Sequence, residues 1–199
     1  MTTPNQDQNT QEIQIEKDLV NDLLNGVNDA WDELYQLYHE KIVRYCSNYV
    51  KSLDEAEDLA HEVFIKLKDK ASLFNPQNKF RPWLYCIARN HCLDYLRKQK
   101  LRKPKGELWS KCYFASTTRI EIPDFRSGPA TEALKLDDSN EIYCALDELT
   151  EEHRSVFLLK YVEDFTRQEI SETLDIPLAT VKSRLYYSLK NLREKLTLQ

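Results

Sequence analysis

The chain has 199 residues, of which 41% are apolar, and a formal net charge of −5. This length allows one large or two small domains, and this apolar content supports genuine hydrophobic cores. With only three glycines and few alternating Val/Ile/Thr runs, the composition argues against a β-sheet and predicts an all-α fold. No apolar stretch reaches about 18 residues and the N-terminus lacks a signal-peptide pattern, so we expect a cytoplasmic protein without membrane insertion.

The residue types that usually build metal and catalytic sites are scattered along the chain. Five cysteines form an odd set without a C-x-x-C pair, which indicates neither a disulfide framework nor a zinc site. His91 and Cys92 are adjacent, but neighbouring helix positions point about 100° apart. No phosphate-binding loop or hydrolase motif occurs. We therefore expect no metal, no cofactor and no catalytic residue.

The N-terminal part begins with a polar tail and continues as a series of helices. Residues 1–12 are rich in Asn, Gln and Thr, a composition that predicts disorder. From residue 13 to about residue 103, apolar residues recur at helical spacing and predict three helices before a fourth, basic one. The repeating positions are Leu19, Leu23 and Leu24; then Leu34, Leu37, Tyr38 and Ile42; then Leu59, Val63, Phe64 and Leu67.

The fourth helix is aromatic at its start and strongly basic at its end. A loop at Asn75–Lys79 precedes it, as the turn residues indicate. From Arg89 to Lys105 the chain carries seven basic residues and one acidic residue, a net charge of +6 that is typical of a surface following phosphates. One face carries Leu84, Ile87, Ala88 and Tyr95, and the opposite face carries Asn90, Asp94 and Arg97.

Residues 104–140 are predicted to be a linker. They contain three of the seven prolines and two of the three glycines, together with Trp109, Tyr113 and Phe114. Fully extended, such a segment reaches roughly 120 Å at about 3.3 Å per residue. That exceeds the roughly 70 Å of two turns of DNA, so two simultaneous contacts on one duplex are geometrically permitted.

The C-terminal part, residues 141–199, has the pattern of a helix-turn-helix domain. Thr166 and Glu169 form a T-x-x-E capping box, which predicts a helix starting near Arg167 with Ile170 and Leu174 facing inward. Pro177 breaks that helix and a second one starts at about Leu178. In the second helix we expect a packed stripe of Val181, Leu185, Ser188 and Leu192. The opposite side, with Thr180, Ser183, Tyr187 and Lys190, is expected to enter a major groove.

Charges are segregated along the chain. Residues 13–62 carry a net charge of −8, residues 141–177 carry −7, and residues 178–199 carry +4. Repulsion from the acidic parts weakens independent DNA binding, and those parts suit a basic partner. This pattern predicts a protein that binds DNA well only when it is assembled with that partner.

Four segments in a fixed order carry a family resemblance. They read NDLLNGVNDAWDELYQLYHEKIVRYCSNYV, DEAEDLAHEVFIKLKDK, SLFNPQNKFRPWLYCIARNHCLDYLRK and LDELTEEHRSVFLLKYVEDFTRQEISETLDIPLATVKSRLYYSLKNLREKL. The chain resembles a bacterial RNA polymerase sigma factor of the extracytoplasmic-function (ECF) class over nearly its whole length. The resemblance implies two helical domains, a region 2-like domain at residues 13–103 and a region 4-like domain at residues 141–199.

The resemblance implies roles for the third and fourth helices. The third helix would dock on the β′ clamp helices of core RNA polymerase through Asp54, Glu55, Glu57, Asp58, Leu59, Glu62, Phe64 and Ile65. The alternative is a solvated acidic face over a core of Leu59, Val63 and Leu67.

The following loop and the fourth helix would read and open the −10 element. The implied residues are Asn75, Gln77, Asn78, Lys79, Phe80, Arg81, Trp83, Arg89, Asn90, Arg97 and Lys98. Loop amides could capture a flipped base, Phe80 or Trp83 could offer a stacking surface, and the basic residues, including Lys100, Arg102 and Lys103, could contact phosphates. The alternatives are turn chemistry for the amides and simple packing for Trp83.

In the C-terminal domain the resemblance implies −35 recognition by Thr180, Lys182, Ser183, Arg184, Tyr186, Tyr187 and Lys190. Arg184 is our choice for a guanine or phosphate contact, whereas Tyr186 could instead pack between helices. Implied partners are core polymerase, including the β flap, promoter DNA and an anti-sigma factor, and holoenzyme assembly would bring the chain to the nucleoid.

Two other classes remain possible from the residues alone. A stand-alone helix-turn-helix repressor or activator would bind a palindromic operator tightly as a dimer. The acidic N-terminal part and the second basic block argue against it. A DNA-processing enzyme would need a metal-binding set of carboxylates.

Overall fold

The computed structural model of the chain describes residues 16, 18–25, 27–50, 52–102, 145–146 and 148–197. Within these ranges all regular structure is helical and no strand occurs, which confirms the all-α prediction. In the same ranges, no helix combines the length and the apolar content that crossing a bilayer requires. The predicted tail at residues 1–12 and the predicted linker at residues 104–140, with its aromatic residues, lie outside the described residues.

The N-terminal unit consists of helices α1 to α4, and the three helices predicted before the basic one are confirmed. Residues 18–24 form α1, Asn28–Ser47 form α2, Leu53–Lys70 form α3 and Phe80–Arg102 form α4. Ser52 caps α3, because its side chain accepts a hydrogen bond from the Glu55 amide at 3.1 Å. A 3₁₀ turn at Ala71–Leu73 follows α3 and leads into the loop before α4.

The apolar positions of these helices meet in one core. Leu34 and Ile42 of α2, Val63 of α3 and Leu84 of α4 are all almost fully buried, and burying such a side chain stabilises a fold by about 1.5–3 kcal/mol. Leu37, which we placed on the buried stripe of α2, is instead 38% exposed. The next residue, Tyr38, occupies the core position, and adjacent helix positions point about 100° apart.

The C-terminal unit contains helices α5 to α7. Glu151–Phe157 form α5, which continues into a single π-helical turn at Leu158–Val162; Arg167–Leu174 form α6 and Leu178–Thr197 form α7. The predicted capping box is present: the Glu169 amide donates to Thr166 Oγ1 at 3.2 Å, and the Thr166 amide donates to Glu169 Oε2 at 2.9 Å. Asp175 ends α6 in the left-handed conformation with φ of 52°, a position that tolerates Asp better than most residues.

The helix-turn-helix core follows the predicted pattern. Val181, Leu185, Ser188 and Leu192 of α7 are buried, as is Ile170 of α6. The Ser188 hydroxyl, which would otherwise be an unsatisfied buried group, donates to the Leu185 carbonyl at 2.8 Å. One side of α7 is thereby fixed inward and the other side is left to solvent.

The N-terminal and C-terminal units are packed against each other. Phe165, between the π turn and α6, is fully buried, and its ring lies 5.0 Å from the ring of Tyr85 in α4. Buried residues of both units belong to one continuous apolar cluster. The two parts of the chain that sequence analysis assigns to DNA are therefore neighbours in this structure.

Candidate nucleic-acid interface

The exposed side of α3 is acidic and includes one apolar residue. Asp54, Glu57, Asp58 and Glu62 are exposed, and Ile65 is 52% exposed among them. The other three residues of the predicted docking set make contacts within the unit: Leu59 and Phe64 are buried, and the partly exposed Glu55 accepts a hydrogen bond from Tyr95 at 3.0 Å. Any partner of α3 thus meets the acidic side chains and Ile65, not Leu59 or Phe64.

His91 and Cys92 point to different surroundings. Lys66 Nζ donates to His91 Nδ1 at 2.6 Å, and His91 Nε2 lies 2.9 Å from Glu62 Oε2, so this ring ties α4 to α3. Burial, and then the neighbouring Lys66 charge, lowers the pKa of His91. Cys92 instead faces the core beside Cys46, with the two sulfurs 3.6 Å apart. Among the described residues, no group of His, Cys, Asp and Glu has an arrangement that could hold a metal ion.

The loop before α4 presents three amide side chains to solvent, because Asn75, Gln77 and Asn78 are all exposed. Asn75 Oδ1 accepts from the Gln77 amide at 3.0 Å, so this side chain also stabilises the turn. The Gln77 and Asn78 side chains are available to meet a base edge without giving up this turn contact.

The two aromatic residues at the start of α4 have different environments. Phe80 is only 3% exposed and packs against Tyr38 and Phe74. The predicted stacking role is therefore wrong for Phe80, because its ring faces are covered by the core. Trp83 is partly exposed and packs on Phe74 with ring centroids 4.8 Å apart, so part of its ring is accessible.

Helix α4 is capped by a residue that sequence reasoning missed. Glu16 Oε1 accepts from the Arg81 amide at 3.2 Å, and Glu16 Oε2 accepts from the Tyr38 hydroxyl at 2.6 Å. A carboxylate at this position satisfies an orphan amide and suits the positive end of the helix dipole. No local pattern could reveal this contact, since Glu16 and Arg81 are 65 positions apart.

The polar and basic candidates of α4 separate into two groups. Asn90, Arg97 and Lys98 are exposed, with Arg97 paired to Asp94 at 3.0 Å. Lys100, Arg102 and Lys103 lie outside the side chains that the structure describes. The predicted division into a core face and an outward face is confirmed, because Leu84, Ile87 and Ala88 are buried.

The other group of cations contacts the C-terminal unit. Lys79 Nζ lies 3.0 Å from Glu169 Oε1. The Arg81 guanidinium lies 4.3 Å from the centre of the Phe165 ring, and Arg89 Nε donates to Ser155 Oγ at 3.0 Å. Three of the predicted −10 residues are therefore occupied by residues of the same chain.

The outward side of α7 carries the predicted reading residues. Lys182, Ser183, Tyr187 and Lys190 are exposed, and Thr180 and Arg184 are partly exposed. Tyr186 is 64% exposed, so the alternative that it packs between helices is wrong. Backbone hydrogen bonding at the start of α5, and to a smaller extent the Arg184 charge, lowers the pKa of Glu152. This places Arg184 beside the first turn of α5, at one edge of the exposed α7 surface.

Comparison with protein families assigns each of the two units to a region of the sigma-70 family. The family model for Sigma-70 region 2 matches residues 34–102, and the model for Sigma-70, region 4 matches residues 139–192. Together these matches span more than half of the chain. The ECF RNA polymerase sigma factor SigW of Bacillus subtilis is 31% identical to this chain over 175 residues. The aligned part is 86% of this chain and 91% of SigW. The chain belongs to the ECF class of the sigma-70 family.

A further relative and two solved structures are consistent with this family membership. The ECF RNA polymerase sigma-E factor of Escherichia coli is 29% identical over 176 residues, with 84% of this chain and 87% of the relative covered. Among solved structures, CnrH in complex with the cytosolic domain of CnrY has a TM-score of 0.66 at 16% identity and covers 93% of this chain and 99% of that chain. The sigma factor RpoE of Bartonella quintana, in complex with the anti-sigma factor NepR, has a TM-score of 0.62 at 19% identity, covering 84% and 97%. These two structures support the helical fold.

Family membership settles the function at the level of the whole protein. The sigma factor binds core RNA polymerase and directs it to promoters, with its region 2 and region 4 units as the DNA-reading parts. The stand-alone repressor or activator is not favoured, because both sigma regions are present on one chain. The residue-level roles remain to be assigned.

Proposed function

We propose that the exposed surface of α3 docks on the β′ clamp helices of core RNA polymerase. Asp54, Glu57, Asp58 and Glu62 supply negative charge, and Ile65 supplies an apolar contact in their midst. Interfaces are commonly organised this way, with a buried apolar anchor surrounded by charged residues that set orientation and association rate. The C-terminal unit makes the second contact, with the β flap.

The loop at Asn75–Lys79 and helix α4 read the −10 element. Opening a duplex without nucleotide hydrolysis requires tighter binding of unpaired than of paired bases. Gln77 and Asn78 present amides that match a base edge, and the exposed part of Trp83 offers a stacking surface worth roughly 1–3 kcal/mol per base. This gain offsets the few kcal/mol that flipping a base costs. Asn90, Arg97 and Lys98 contact phosphates along the same helix.

Helix α7 reads the −35 element in the major groove. Its buried stripe fixes the rotation of the helix, so Lys182, Ser183, Tyr187 and Lys190 face outward together, with Tyr186 beside them. Thr180 lies near the N-terminal end of the helix, the part that approaches base edges in this motif. Arg184 supplies a bidentate contact, for which a guanine or a phosphate is the partner.

The observation that carries these assignments is the division of the surface. Cations and amides are displayed on α4 and on α7, in the two segments that match the two sigma regions, whereas the exposed side of α3 carries Asp54, Glu57, Asp58 and Glu62. The sigma factor performs no chemistry of its own in this scheme; nucleotidyl transfer belongs to core polymerase. We place the protein in the cytoplasm and, within holoenzyme, at the nucleoid.

An anti-sigma factor is the remaining partner that we propose. The two solved relatives are complexes, one with the cytosolic domain of CnrY and one with the anti-sigma factor NepR. A protein inhibitor of this chain would cover the acidic α3 surface, the cationic surfaces, or both.

Run-off transcription on a library of promoter fragments tests the proposed function. The reactions contain core polymerase alone, the sigma factor alone, or both together. Specific transcripts from the combined reaction only are expected, and their start sites give the promoter motif. Tight operator binding by the chain alone, without a gain in initiation by core, would contradict the proposal.

A further inference from the structure

The chain enters α7 through three exposed residues whose side chains form no hydrogen bonds. Pro177, Leu178 and Ala179 are all exposed, and Leu178 is 41% exposed. None of these side chains carries a donor or an acceptor. The first side chain of α7 with a hydrogen-bonding group is Thr180, which is only partly exposed. An apolar contact is therefore the only way in which this end of the helix can distinguish base pairs directly.

The turn before α7 holds these residues in a fixed position. The Ile176 amide donates to the Ser171 carbonyl at 3.2 Å, and the Ser171 hydroxyl donates to the Ile176 carbonyl at 2.6 Å. Ile176 packs against the hydrophobic core, and the ring of Pro177 restricts its own backbone. The Val181 amide then donates to the Pro177 carbonyl at 3.0 Å, which closes the first turn of α7. Leu178 is thus preorganised, so that binding through it costs little ordering of the chain.

Leu178 lies in line with two of the proposed −35 contacts. Leu178, Lys182 and Tyr186 are spaced at i, i+4 and i+8, and all three are exposed, so they form one row along the helix. Leu178 is about 6 Å along the axis from Lys182, on the N-terminal side. In a helix-turn-helix, the N-terminal residues of the recognition helix contact base edges. A helix that brings Lys182 to the DNA therefore brings Leu178 to the floor of the same groove.

The chemistry of the major groove determines which base suits a leucine. Each base edge there presents hydrogen-bond donors and acceptors, and the C5-methyl group of thymine is the only apolar substituent among them. Against a thymine, Leu178 buries apolar surface on both partners. Against any other base, it removes water from donors and acceptors without replacing the lost hydrogen bonds. An exposed leucine at this position thus favours thymine.

We propose that Leu178 is a specificity-determining residue of the sigma factor, which reads a thymine of the −35 element through its C5-methyl group. This inference rests on the proposed role of α7 in the major groove and makes that role more specific. Lys182 and Arg184 supply charge and hydrogen bonds, whereas Leu178 supplies the preference for a T·A pair at the part of the element that faces the start of α7.

Replacement of thymine by uracil tests the contact, because uracil has the same hydrogen-bonding groups and lacks the methyl group. Each thymine of the −35 element is replaced in turn, and the affinity of holoenzyme is measured by competition with the unmodified promoter. At the thymine that faces Leu178, the replacement should weaken binding by wild-type holoenzyme about fourfold. In Leu178→Ala the same replacement should have almost no further effect, because both changes remove the same contact.

The matched control is Leu37→Ala, which makes the same change at a leucine of α2 that is 38% exposed. It should keep the full effect of uracil. Leu178→Met retains an apolar side chain of similar volume and should keep most of the effect. Thermal unfolding of each variant is compared with wild type, and no change is expected for substitutions at these exposed positions.

A second measurement uses only the wild-type protein. The critical T·A pair is replaced either by a cytosine·guanine pair or by a 5-methylcytosine·guanine pair, which carries the methyl group at the same position of the groove. Holoenzyme should bind the methylated promoter about fourfold more tightly than the unmethylated one.

Several results would overturn this role of Leu178. They are a −35 element without T·A pairs, the absence of a uracil effect at every thymine, an equal uracil effect in wild type and Leu178→Ala, and equal affinities for the cytosine and 5-methylcytosine promoters. Failure of the proposed function has a different signature, because Arg184→Ala would then also leave −35 discrimination intact. A loss of discrimination in Arg184→Ala without a uracil effect would contradict the role of Leu178 alone.

Discussion

The proposed −35 contacts of α7 can be tested one side chain at a time. Arg184→Ala removes a planar donor group without disturbing the buried stripe, since Arg184 is partly exposed and Val181, Leu185 and Ser188 stay in place. We expect a loss of about 1–3 kcal/mol of discrimination between cognate and altered −35 sequences, and unchanged binding to core polymerase. Competition binding of holoenzyme to cognate and altered promoters measures the first, and core titration the second.

The control for this substitution is Arg193→Ala, which makes the same change about two and a half turns further along α7. It should leave discrimination at the −35 element intact. Equal losses of core binding and promoter selection in Arg184→Ala would instead show that this arginine has a structural role.

Glu163, which accepts a hydrogen bond from Tyr85 of α4, makes the contact between the N-terminal and C-terminal units dependent on pH. Burial raises the pKa of this carboxyl above its ordinary value, although Tyr85, Arg44 and Arg81 offset part of the effect. A group whose pKa is higher when the units are in contact than when they are apart stabilises the contact below its pKa in the separated state. That contribution is lost as the pH rises through the pKa that the group has in the contact. We therefore expect the fraction of molecules with the units in contact to fall as the pH rises.

Zero-length carbodiimide crosslinking measures the contact, because it joins a lysine and a carboxylate that touch. Lys79 and Glu169 are in contact between the units, and Lys195 and Glu148 are in contact within the C-terminal unit. The ratio of the first crosslink to the second is followed between about pH 5 and 8, so that the pH dependence of the reagent cancels. Glu163→Gln keeps the shape of the side chain and removes its titration, so its ratio should change less with pH. An identical pH profile for wild type and Glu163→Gln would show that another group controls the contact between the units.

At the scale of single elements, α3 combines a buried structural face with the face that we propose binds core polymerase. Leu59 and Phe64 belong to the core, whereas Ile65 is 52% exposed on the acidic side. Ile65→Asp should weaken binding to core polymerase by about tenfold or more, because it replaces the exposed apolar residue of the proposed docking surface with a charge. It should leave the thermal stability of the free protein unchanged.

Val27→Asp is the matched control, since Val27 is an exposed apolar residue just before α2, at 45% exposure. Core affinity is measured by competition with a labelled sigma factor, and stability by thermal unfolding. Undiminished core binding by Ile65→Asp would place the docking surface elsewhere on the N-terminal unit.

At the scale of the whole molecule, local patterns in the sequence predicted the helices but not how the units meet. The capping box at Thr166 and Glu169 and the buried stripe of α7 are set by neighbours along the chain, and both are present. The contact of Tyr85 with Glu163 joins residues 78 positions apart. Glu163 is one of ten acidic residues in the segment 141–177, which has a net charge of −7. No neighbouring residue in the sequence indicated that this particular acid is buried.

The same limit applies within the predicted −10 site. Phe80 and Trp83 are close along the chain, and periodicity alone could not decide which of them is covered, because the choice depends on Tyr38 and Phe74 from other elements. Asn75 was recognised as either a base reader or a turn residue; its hydrogen bond from the Gln77 amide confirms the turn contact, and base reading by Asn75 stays a prediction. Sequence periodicity predicted the face of the helix on which a side chain lies. It could not predict which residues of other elements pack over that side chain.

Charge segregation over the whole chain determines how DNA binding responds to salt. The free protein carries a net charge of −5, although residues 89–105 carry +6 and residues 178–199 carry +4. We therefore expect weak binding to promoter duplex by the free chain and tight binding by holoenzyme. For holoenzyme, Lys182→Ala removes one phosphate contact, and the slope of log affinity against log salt concentration should fall in magnitude by about 1. Fluorescence anisotropy over a salt series measures this slope for wild-type and Lys182→Ala holoenzyme.

The control is Lys68→Ala, at an exposed position of α3, which should leave the slope unchanged. Equal slopes for Lys182→Ala and wild type would show that Lys182 of α7 makes no phosphate contact.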